Sequence, residues 1–339
     1  MKKRAYLLLA SFLVIALVAG CGGPEVVGDE GEFGEKTTIR VAALKGPTGI
    51  GLVKLMAANE EGTAANHYEF ELVGAPDEIV ALLTSKSVDV AAVPTNLAAV
   101  LYNKTQGDIQ LMAINTLGVL YIVEKGDSVH SLADLAGRTI TGTGQGSTPE
   151  YALNFLLEKK GLIPGQDVTV DFLAEHGELA SLLVAGRVDL ALLPEPFVTT
   201  VVEKADDVRV ALDLSEEWRG AMAREGNPDV ELAMGCLVVR REFAAEEGEA
   251  LRDFLAEYQE STAFANEHLE QAAQLVAKYG ILADAALAQK AIPNCNIVYL
   301  DGGEMKASAQ AFLQVLHRAN PKAVGGQLPG QDFYYEEEG

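Results

Sequence analysis

The chain contains 339 residues, 49% of them hydrophobic, and carries a formal net charge of −23 at pH 7. This length is enough for two domains of ordinary size with a substantial core, and the composition is typical of a soluble globular protein. Nucleic acid and anionic membrane surfaces are excluded as favourable partners, because a chain this acidic is repelled by both.

The N-terminus has the order of an export signal. Basic residues at positions 2–4 precede an apolar run over residues 7–19, which is too short to cross a bilayer as a permanent helix. The run ends in Val18-Ala19-Gly20-Cys21, which resembles a bacterial lipobox, the motif whose cysteine is acylated and becomes the first residue of the mature protein. We therefore predict a lipoprotein signal peptide over residues 1–20.

Lipidation at Cys21 is the predicted membrane anchor. Acyl chains such as palmitate would hold the protein to the cell membrane from outside the cytoplasm without a transmembrane helix, whereas the alternative is a buried structural cysteine. Residues 21–37 are rich in Gly and Glu and have no periodicity, so we predict a flexible tether between the anchor and the folded body.

Short apolar runs and helical patterns alternate along the body of the chain. Strands are predicted at residues 39–44, 69–73, 88–93, 109–114, 139–143, 168–173 and 188–193. The third and the seventh run are continuously apolar, as expected of strands that are covered on both faces in a parallel sheet. Since helical patterns intervene, the predicted fold class is α/β.

Several further elements are marked by their end signals or their apolar spacing. Pro149 and Glu150, just after two candidate capping residues, predict a helix over residues 148–160. Later in the chain we predict strands at 208–212 and 234–239, a helix from residue 251, and helices near 269–279 and 304–318.

One pattern recurs at an offset of one hundred residues. Its first copy contains Glu78, Leu82, Leu83, Val88, Asp89, Ala91 and Pro94, and its second contains Glu178, Leu182, Leu183, Val188, Asp189, Ala191 and Pro194. Gly46 and Thr48 match Gly146 and Thr148 at the same offset. An offset kept over several elements indicates an internal duplication, which predicts two similar lobes.

The two predicted lobes are divided unequally along the chain. Residues 37–117 and 237–339 would form lobe one, and residues 118–236 would form an inserted lobe two. The chain would then cross between the lobes twice, near residues 116–118 and 234–237, and these crossings predict a hinge.

The first loop of each lobe is a candidate ligand site. Ligands of open α/β sheets bind beyond the carboxyl ends of the strands, where loops lead into helix N-termini. Residues 45–49 and 144–148 are such loops, with glycines that allow close approach and first-turn N–H groups that suit a carboxylate, sulfonate or phosphate. The alternative is that both are simply tight turns between strand and helix.

The third strand of each lobe also ends at the predicted cleft. Asn96 can donate and accept hydrogen bonds there, while Glu195 favours a cationic or donor-rich group. Tyr151 and Phe197 could stack on a planar ligand or belong to the core. His176 could face the cleft, although a histidine in a surface loop is the favoured interpretation.

Motifs for nucleotide binding, metal binding and nucleophilic catalysis are missing from the sequence. Glycines 142, 144 and 146 do not have the G-x-G-x-x-G spacing, no P-loop occurs, and the five histidines lack metal-ligand spacing. We therefore predict no metal, no cofactor and no catalytic residue. Cys236 and Cys295 either form a disulfide or stay free, and the sequence leaves both alternatives open.

The lipobox, the duplicated units and the element E-x-x-x-L-L-x-x-x-x-V-D-x-A-x-x-P together resemble type II periplasmic substrate-binding proteins of ABC importers, over residues 37–320. The chain is most similar to the nitrate, sulfonate, taurine and thiamine-precursor group. Residues 131–140 resemble that fold's D-L-x-G-K-x-I segment, with Arg138 in place of Lys. The resemblance implies two lobes, each a mainly parallel sheet with flanking helices, and a ligand cleft between them. It implies ligand contacts at Lys45, Thr48, Asn96, Thr116, Gln145, Ser147, Thr148 and Glu195.

The function implied by the resemblance is that of a membrane-anchored, monomeric receptor, which captures a small molecule and delivers it to an ABC permease. No Arg lies in the cleft loops, although Arg is the expected bidentate partner of a carboxylate or sulfonate, so the ligand stays open. Two alternatives remain: an enzyme of the same fold, of the pyrimidine or menaquinone-pathway type, and a ligand-sensing lipoprotein without transport. The export signal disfavours the enzyme.

Overall fold

Two β-sheets with helices packed on their faces form the body of the protein, as described for residues 36–336 by a computed structural model. The first sheet takes its strands from both ends of this region. They are β1 (Thr38–Leu44), β2 (His67–Val73), β3 (Val90–Pro94), β4 (Ile109–Thr116), β10 (Gly235–Arg240) and β11 (Ile297–Leu300). The second sheet takes its strands from the middle, and they are β5 (Leu120–Lys125), β6 (Thr139–Thr143), β7 (Thr169–Leu173), β8 (Leu190–Pro194) and β9 (Val208–Asp213).

The two sheets share one internal topology. The strand order is β11-β4-β10-β3-β1-β2 in the first sheet and β7-β6-β8-β5-β9 in the second. In each sheet three neighbouring strands pair in parallel, and one antiparallel strand, β10 or β5, separates them from a further strand that runs in the same direction as the three. The predicted α/β class with two mainly parallel sheets is therefore confirmed.

Helices connect the strands and cover the sheets. Within residues 36–336 they are α1 (Pro47–Ile50), α2 (Val53–Glu60), α3 (Pro76–Thr84), α4 (Thr95–Lys104), α5 (Thr148–Lys159), α6 (His176–Val184), α7 (Phe197–Lys204), α8 (Leu214–Arg224), α9 (Arg241–Glu246), α10 (Gly248–Glu267), α11 (Leu269–Lys278), α12 (Ala285–Ala291) and α13 (Gly302–Ala319). Short 3-10 helices lie at Leu132–Leu135, Ile292–Asn294, Pro321–Val324 and Gln331–Phe333.

The hundred-residue repeat corresponds to equivalent elements of the two sheets. Strands β3 and β8 begin and end at the same offset, as do helices α3 and α6. All residues of β3 and of β8 are buried, because cores lie on both faces of each sheet. At the start of α3, the side chain of Glu78 accepts a hydrogen bond from the N–H of Ala75 (3.0 Å), and Glu178 occupies the matching first turn of α6.

Two strands were not predicted from the sequence. Strand β5 has no counterpart at the hundred-residue offset, because its structural equivalent in the first sheet is β10, which comes from far later in the chain. Strand β11 has four residues and pairs with β4 through a shifted register, so its periodic signal is too short to read. The nine predicted strands and the predicted helices 148–160, 269–279 and 304–318 all exist, with ends that differ by at most two residues.

The chain passes from the first sheet to the second and back. It leaves through residues 117–119, between β4 and β5, and returns through residues 225–234, between α8 and β10. Helix α13 contacts both parts: it packs on β4, and the ring of Phe312 lies 5.5 Å from that of Trp218 in α8. The predicted lobe boundaries stay a prediction.

Some expectations concern the ends of the chain and the cysteines. The predicted signal peptide, Cys21 and the tether up to residue 35 lie outside the described residues. Over residues 36–336, no helix combines the length and the apolar character that crossing a bilayer requires. Cys236 and Cys295 are both buried and free, so they do not form a disulfide.

Candidate ligand-binding site

A cavity of about 70 Å³ lies where the carboxyl ends of the parallel strands of the two sheets meet. Loops from both sheets line it, as the strand-end rule predicts. The lining residues are Leu44, Lys45, Gly46, Pro47, Thr48, Pro76, Pro94, Thr116, Val119, Gly144, Ser147, Pro149, His176, Pro194, Met234 and Gly235. Of the eight residues predicted to contact a ligand, this set contains Lys45, Thr48, Thr116 and Ser147.

The loop after β1 contributes a lysine. Lys45 is exposed at the cavity wall, and its ammonium group has no ion-pair or hydrogen-bond partner among residues 36–336. Its backbone N–H donates to the carbonyl of Val73 at the end of β2 (2.9 Å), which fixes the start of the loop. Thr48 is nearly buried and donates its hydroxyl to the carbonyl of Leu44 (3.3 Å). The ammonium group of Lys45 is therefore available to a ligand.

The loop after β6 forms the opposite wall. Gly144 and Gly146 have φ angles of 73° and 74°, in the left-handed region that glycine adopts without strain. The hydroxyl of Ser147 donates to the carbonyl of Gly144 (2.5 Å), and the N–H of Gly146 donates to the carboxylate of Glu150 (2.5 Å). These bonds close the turn and hold Ser147 against the cavity, just before the first turn of α5.

Asn96 and Thr148, both predicted to contact a ligand, are buried and bonded to each other. The hydroxyl of Thr148 donates to Oδ1 of Asn96 (3.1 Å). Nδ2 of Asn96 donates to the carbonyls of Gly146 (3.2 Å) and Ala323 (2.9 Å). Neither side chain lines the cavity; together they connect helix α4 of the first sheet to the loop after β6 of the second.

The two other predicted contact residues also face away from the cavity. Glu195 is 3% exposed, and its carboxylate accepts hydrogen bonds from the N–H (3.0 Å) and the hydroxyl (2.9 Å) of Thr199. Burial raises the pKa of this carboxyl group. Gln145 is exposed and lines a separate groove beside Tyr151. Ligand contact by either residue stays a prediction.

His176 lines the cavity, whereas the sequence favoured a surface loop. Its Nδ1 is hydrogen-bonded to the hydroxyl of Thr143, and its ring lies 5.2 Å from that of Phe197. Desolvation by the surrounding atoms lowers the pKa of His176 to about 4, so the imidazole is neutral at pH 7. At the hundred-residue offset its counterpart is Pro76, which lines the cavity from the first sheet. The two copies therefore differ in chemistry at this position.

The floor of the cavity depends on a glycine that sequence analysis did not select. Thr116 is 2% exposed and donates its hydroxyl to Oδ1 of Asn115 (3.1 Å). A Cβ atom at Gly235 would lie 2.7 Å from Oδ1 of Asn115 and 3.0 Å from the methyl group of Thr48. A side chain at this position would displace the floor. The requirement arises from the antiparallel pairing of β10, which no local pattern shows.

The lining has a consistent chemical character. It contains one lysine, a neutral imidazole and three hydroxyl-bearing side chains, and it contains no carboxylate and no arginine. The start of α5 adds the positive end of a helix dipole. Over residues 36–336, no group of three or more His, Cys, Asp or Glu side chains could hold a metal ion. The arrangement can bind a small ligand that carries acceptor oxygens.

The sequence matches one family model. That family is described as "ABC transporter, phosphonate, periplasmic substrate-binding protein", and the match covers residues 60–283, which is more than half of the chain. No curated protein matches the sequence.

Several solved structures are similar to this one. An ABC transporter structure from Parabacteroides distasonis is 27% identical, with a TM-score of 0.72, and the match covers 89% of this chain and 100% of that chain. The alkanesulfonate-binding protein SsuA from Xanthomonas axonopodis pv. citri, bound to MOPS, is 15% identical, with a TM-score of 0.67 and coverage of 88% and 96%. The periplasmic nitrate-binding protein NrtA from Synechocystis PCC 6803 is 15% identical, with a TM-score of 0.61 and coverage of 84% and 82%.

Proposed function

The chain belongs to the periplasmic phosphonate substrate-binding proteins of ABC transporters, and we propose that its ligand is a small molecule with an anionic oxygen headgroup. Proteins of this family bind small ligands and deliver them to a permease, so the function is solute capture for import. Membership implies a location outside the cytoplasm. The family match confirms the predicted periplasmic substrate-binding protein of an ABC importer, and the alkanesulfonate-binding SsuA and the nitrate-binding NrtA share its fold.

The observation that carries the ligand class is the charge of the cavity lining. The chain has 49 Asp and Glu against 26 Lys and Arg, yet the lining contains Lys45 and no carboxylate. An ammonium group without a partner inside the described region attracts an anion, and the positive end of the α5 dipole at the same wall favours negative charge as well. Phosphonate, named in the family description, has this chemistry.

Four side chains are proposed as direct ligand contacts. Lys45 supplies the charge. The hydroxyl groups of Thr48, Thr116 and Ser147 border the same space, and each would turn its proton from its present protein acceptor toward the ligand to donate to an oxyanion. Asn96 and Thr148 act one step away, because their polar atoms are bonded to protein groups on both sides of the cavity.

Closure of two lobes is the proposed binding motion. Residues 37–117 and 237–339 would move as lobe one, residues 118–236 as lobe two, and the segments around 117–119 and 225–234 would be the hinge. In support, loops of the two sheets approach each other closely beside the cavity. A Cβ atom at Gly74, in the loop after β2, would lie 2.9 Å from the side chain of Glu175, which precedes α6. A ligand that touches both loops binds the closed form better and shifts the population toward it.

Attachment to the membrane is proposed from the sequence. The signal over residues 1–20 and the lipobox around Cys21 support a lipid anchor, and residues 21–37 would let a monomeric body move above the membrane. We also propose that the protein is not an enzyme, because its family consists of binding components of transporters.

Titration calorimetry and thermal unfolding of the purified mature protein test the ligand class. The oxyanion set is methylphosphonate, 2-aminoethylphosphonate, methanesulfonate, taurine and nitrate, and the comparison set is putrescine, choline and glucose. Binding heat and a higher melting temperature are expected within the oxyanion set, since a ligand of the native state stabilises it by RT ln(1 + [L]/Kd). Binding confined to the comparison set would refute the proposed class, and release of a chemically changed product would refute the non-enzymatic role.

A further inference from the structure

Half of the cavity wall is apolar. Eight of the sixteen lining residues have no side-chain nitrogen or oxygen atom, and they are Leu44, Val119, Met234 and the prolines at positions 47, 76, 94, 149 and 194. Three of these prolines lie in the first turn of a helix, namely α1, α3 or α5. Because proline has no backbone N–H, each of these turns lines the cavity with a ring where another residue would offer a donor. A ligand group against this part of the wall therefore meets apolar atoms.

Carboxylates come within one residue of the cavity at four places in the chain, yet none of them lines it. They are Asp77, Glu150, Glu175 and Glu195, each next in sequence to a lining residue. Glu150 accepts a hydrogen bond from the N–H of Gly146 (2.5 Å), and Glu195 accepts hydrogen bonds from Thr199 (2.9 and 3.0 Å). Glu175 lies against Gly74, and Asp77 lines a separate groove. The cavity wall thus carries no negative charge.

The full and partial charges that do reach the cavity are positive. The ammonium group of Lys45 is at the wall, and the start of α5 adds the positive end of a helix dipole. No Phe, Tyr or Trp ring lines the cavity, because Tyr151 and Phe197 line other grooves, so a cation–π contact does not take the place of a carboxylate. A cationic group on a ligand would meet repulsion without a compensating partner.

We propose that the ligand joins its oxyanion headgroup to an uncharged, apolar substituent, as short alkanesulfonates and alkylphosphonates do, and that the cavity disfavours the zwitterionic aminoalkyl analogues. The inference rests on the proposed function, since the headgroup supplies the attraction to Lys45. The apolar half of the wall takes the alkyl group, and each buried CH₂ group raises the affinity about fourfold. An ammonium group in the same place is repelled by Lys45 and is desolvated without gaining a carboxylate.

Pairs of ligands with the same shape test this inference. 1-Propanesulfonate and taurine differ only in a terminal methyl or ammonium group, and so do n-propylphosphonate and 2-aminoethylphosphonate. Titration calorimetry of the purified mature protein at pH 7 is expected to give the alkyl member of each pair an affinity at least about tenfold higher. The sulfonate pair is decisive, because both of its headgroups carry a single negative charge. Equal or tighter binding of taurine would overturn the inference.

Smaller ligands separate this inference from the proposed function. Methylphosphonate is expected to bind several times more tightly than inorganic phosphate, because its methyl group meets the apolar wall. Phosphate that binds as tightly as methylphosphonate would overturn the apolar substituent, as would binding of methylphosphonate by a protein that binds neither propyl ligand. If no member of the oxyanion set binds, the proposed function fails and the inference fails with it. Binding of oxyanions without preference for the alkyl members overturns the inference alone.

Lys45→Gln tests the electrostatic part of the discrimination. An alkanesulfonate has a net negative charge, whereas taurine has none and carries an ammonium group that Lys45 repels. The substitution is therefore expected to weaken the binding of 1-propanesulfonate more than that of taurine, so the ratio of the two affinities falls at least about threefold. An unchanged ratio would show that the charge of Lys45 does not exclude the ammonium group.

Met234→Glu supplies the carboxylate that the wall lacks, and Met234→Gln is its neutral control of the same shape. Met234 is 7% exposed and belongs to the apolar half of the wall. At pH 8, the preference for 1-propanesulfonate over taurine is expected to be at least about tenfold smaller in the Glu variant than in the Gln variant. Thermal unfolding establishes that both variants are folded. The same preference in two folded variants would overturn the explanation by missing charge, and the ligand pairs in the wild type decide the inference if either variant does not fold.

Discussion

Asn96→Ala is expected to weaken ligand binding about 30-fold, although Asn96 does not line the cavity. Its side chain makes three hydrogen bonds, to Thr148, Gly146 and Ala323. At about 1 kcal/mol net for each bond, the substitution costs about 3 kcal/mol of folding stability. The two bonds to the loop after β6 cross the cavity, so the proposed closure forms them together with the ligand contacts. Their loss, about 2 kcal/mol, corresponds to the expected change in affinity.

Asn103→Ala is the matched control. Asn103 lies on the same helix, α4, and its Nδ2 donates to the carbonyls of Val324 and Gln327, both at 2.8 Å. Both variants therefore lose bonds to the C-terminal turn, but the Asn103 variant loses none across the cavity. Calorimetry with the oxyanion set gives the affinities, and urea unfolding followed through Trp218, the sole tryptophan, gives the stabilities. Reduced stability in both variants and reduced affinity in Asn96→Ala are expected.

The outcome across ligands separates an indirect from a direct role. If Asn96 acts only through protein groups, Asn96→Ala lowers the affinity for every ligand by the same factor. Adding Thr148→Val to Asn96→Ala is expected to lower the affinity little further, because the two side chains form one pair. Equal affinities of the Asn96 and Asn103 variants would refute the reasoning. A loss that varies strongly between ligands would instead support the direct contact predicted from the sequence.

Three further predictions concern charge. Lys45→Gln is expected to lower oxyanion affinity at least tenfold without changing the melting temperature, because the ammonium group has no partner in the described region. The control is Lys160→Gln, at the exposed C-terminal end of α5. Equal binding by both variants would contradict the role of Lys45. Because its pKa is lowered to about 4, His176 binds a proton less readily in the folded protein than in the unfolded chain. Its contribution to the free energy of unfolding, roughly 3 kcal/mol, is therefore fully present above pH 6.5 and is lost as the pH falls toward 4. Unfolding free energies measured by urea at pH 7 and pH 4.5 should therefore differ less in His176→Gln than in the wild type, and an equal difference would argue against a neutral, partly buried ring. Asp89→Asn is expected to lower the free energy of unfolding by about 3 kcal/mol, since the buried carboxylate accepts hydrogen bonds from Arg40 (2.6 and 2.9 Å) and Arg240 (2.8 Å). Oxyanion affinity is expected to stay unchanged. A smaller loss in thermal unfolding would show that the arginines tolerate a neutral side chain at this position.

Elements that depend on short-range patterns were readable from the sequence. Strands β3 and β8 are continuous apolar runs, and α5 has a proline and an acidic residue in its first turn, so their local composition matches their final environment. Strand β5 was missed because its antiparallel partners, β8 and β9, lie far along the chain and because its equivalent in the first sheet, β10, is not at the hundred-residue offset.

The residues of the candidate site also separate into those that local patterns predicted and those that only tertiary contacts place. Lys45, Thr48 and Ser147 follow strands that were predicted, so the rule for strand ends was sufficient to bring them to the cavity. Asn96 and Glu195 also follow predicted strands, yet their side chains bond within the protein, to the carbonyl of Ala323 and to Thr199, and a strand end does not show which way the next side chain points.

The sequence by itself determined the duplicated α/β architecture, the strand ends that carry ligand-binding loops and the family resemblance, because each rests on residues close together in the chain or on a constant offset between them. Only the tertiary structure decided which loop residues share the cavity, that His176 joins them, and that Gly235 leaves room for the floor. These relations depend on how β10 and the second sheet lie against the first strands of the chain, and no local period in a sequence encodes a distance between such segments.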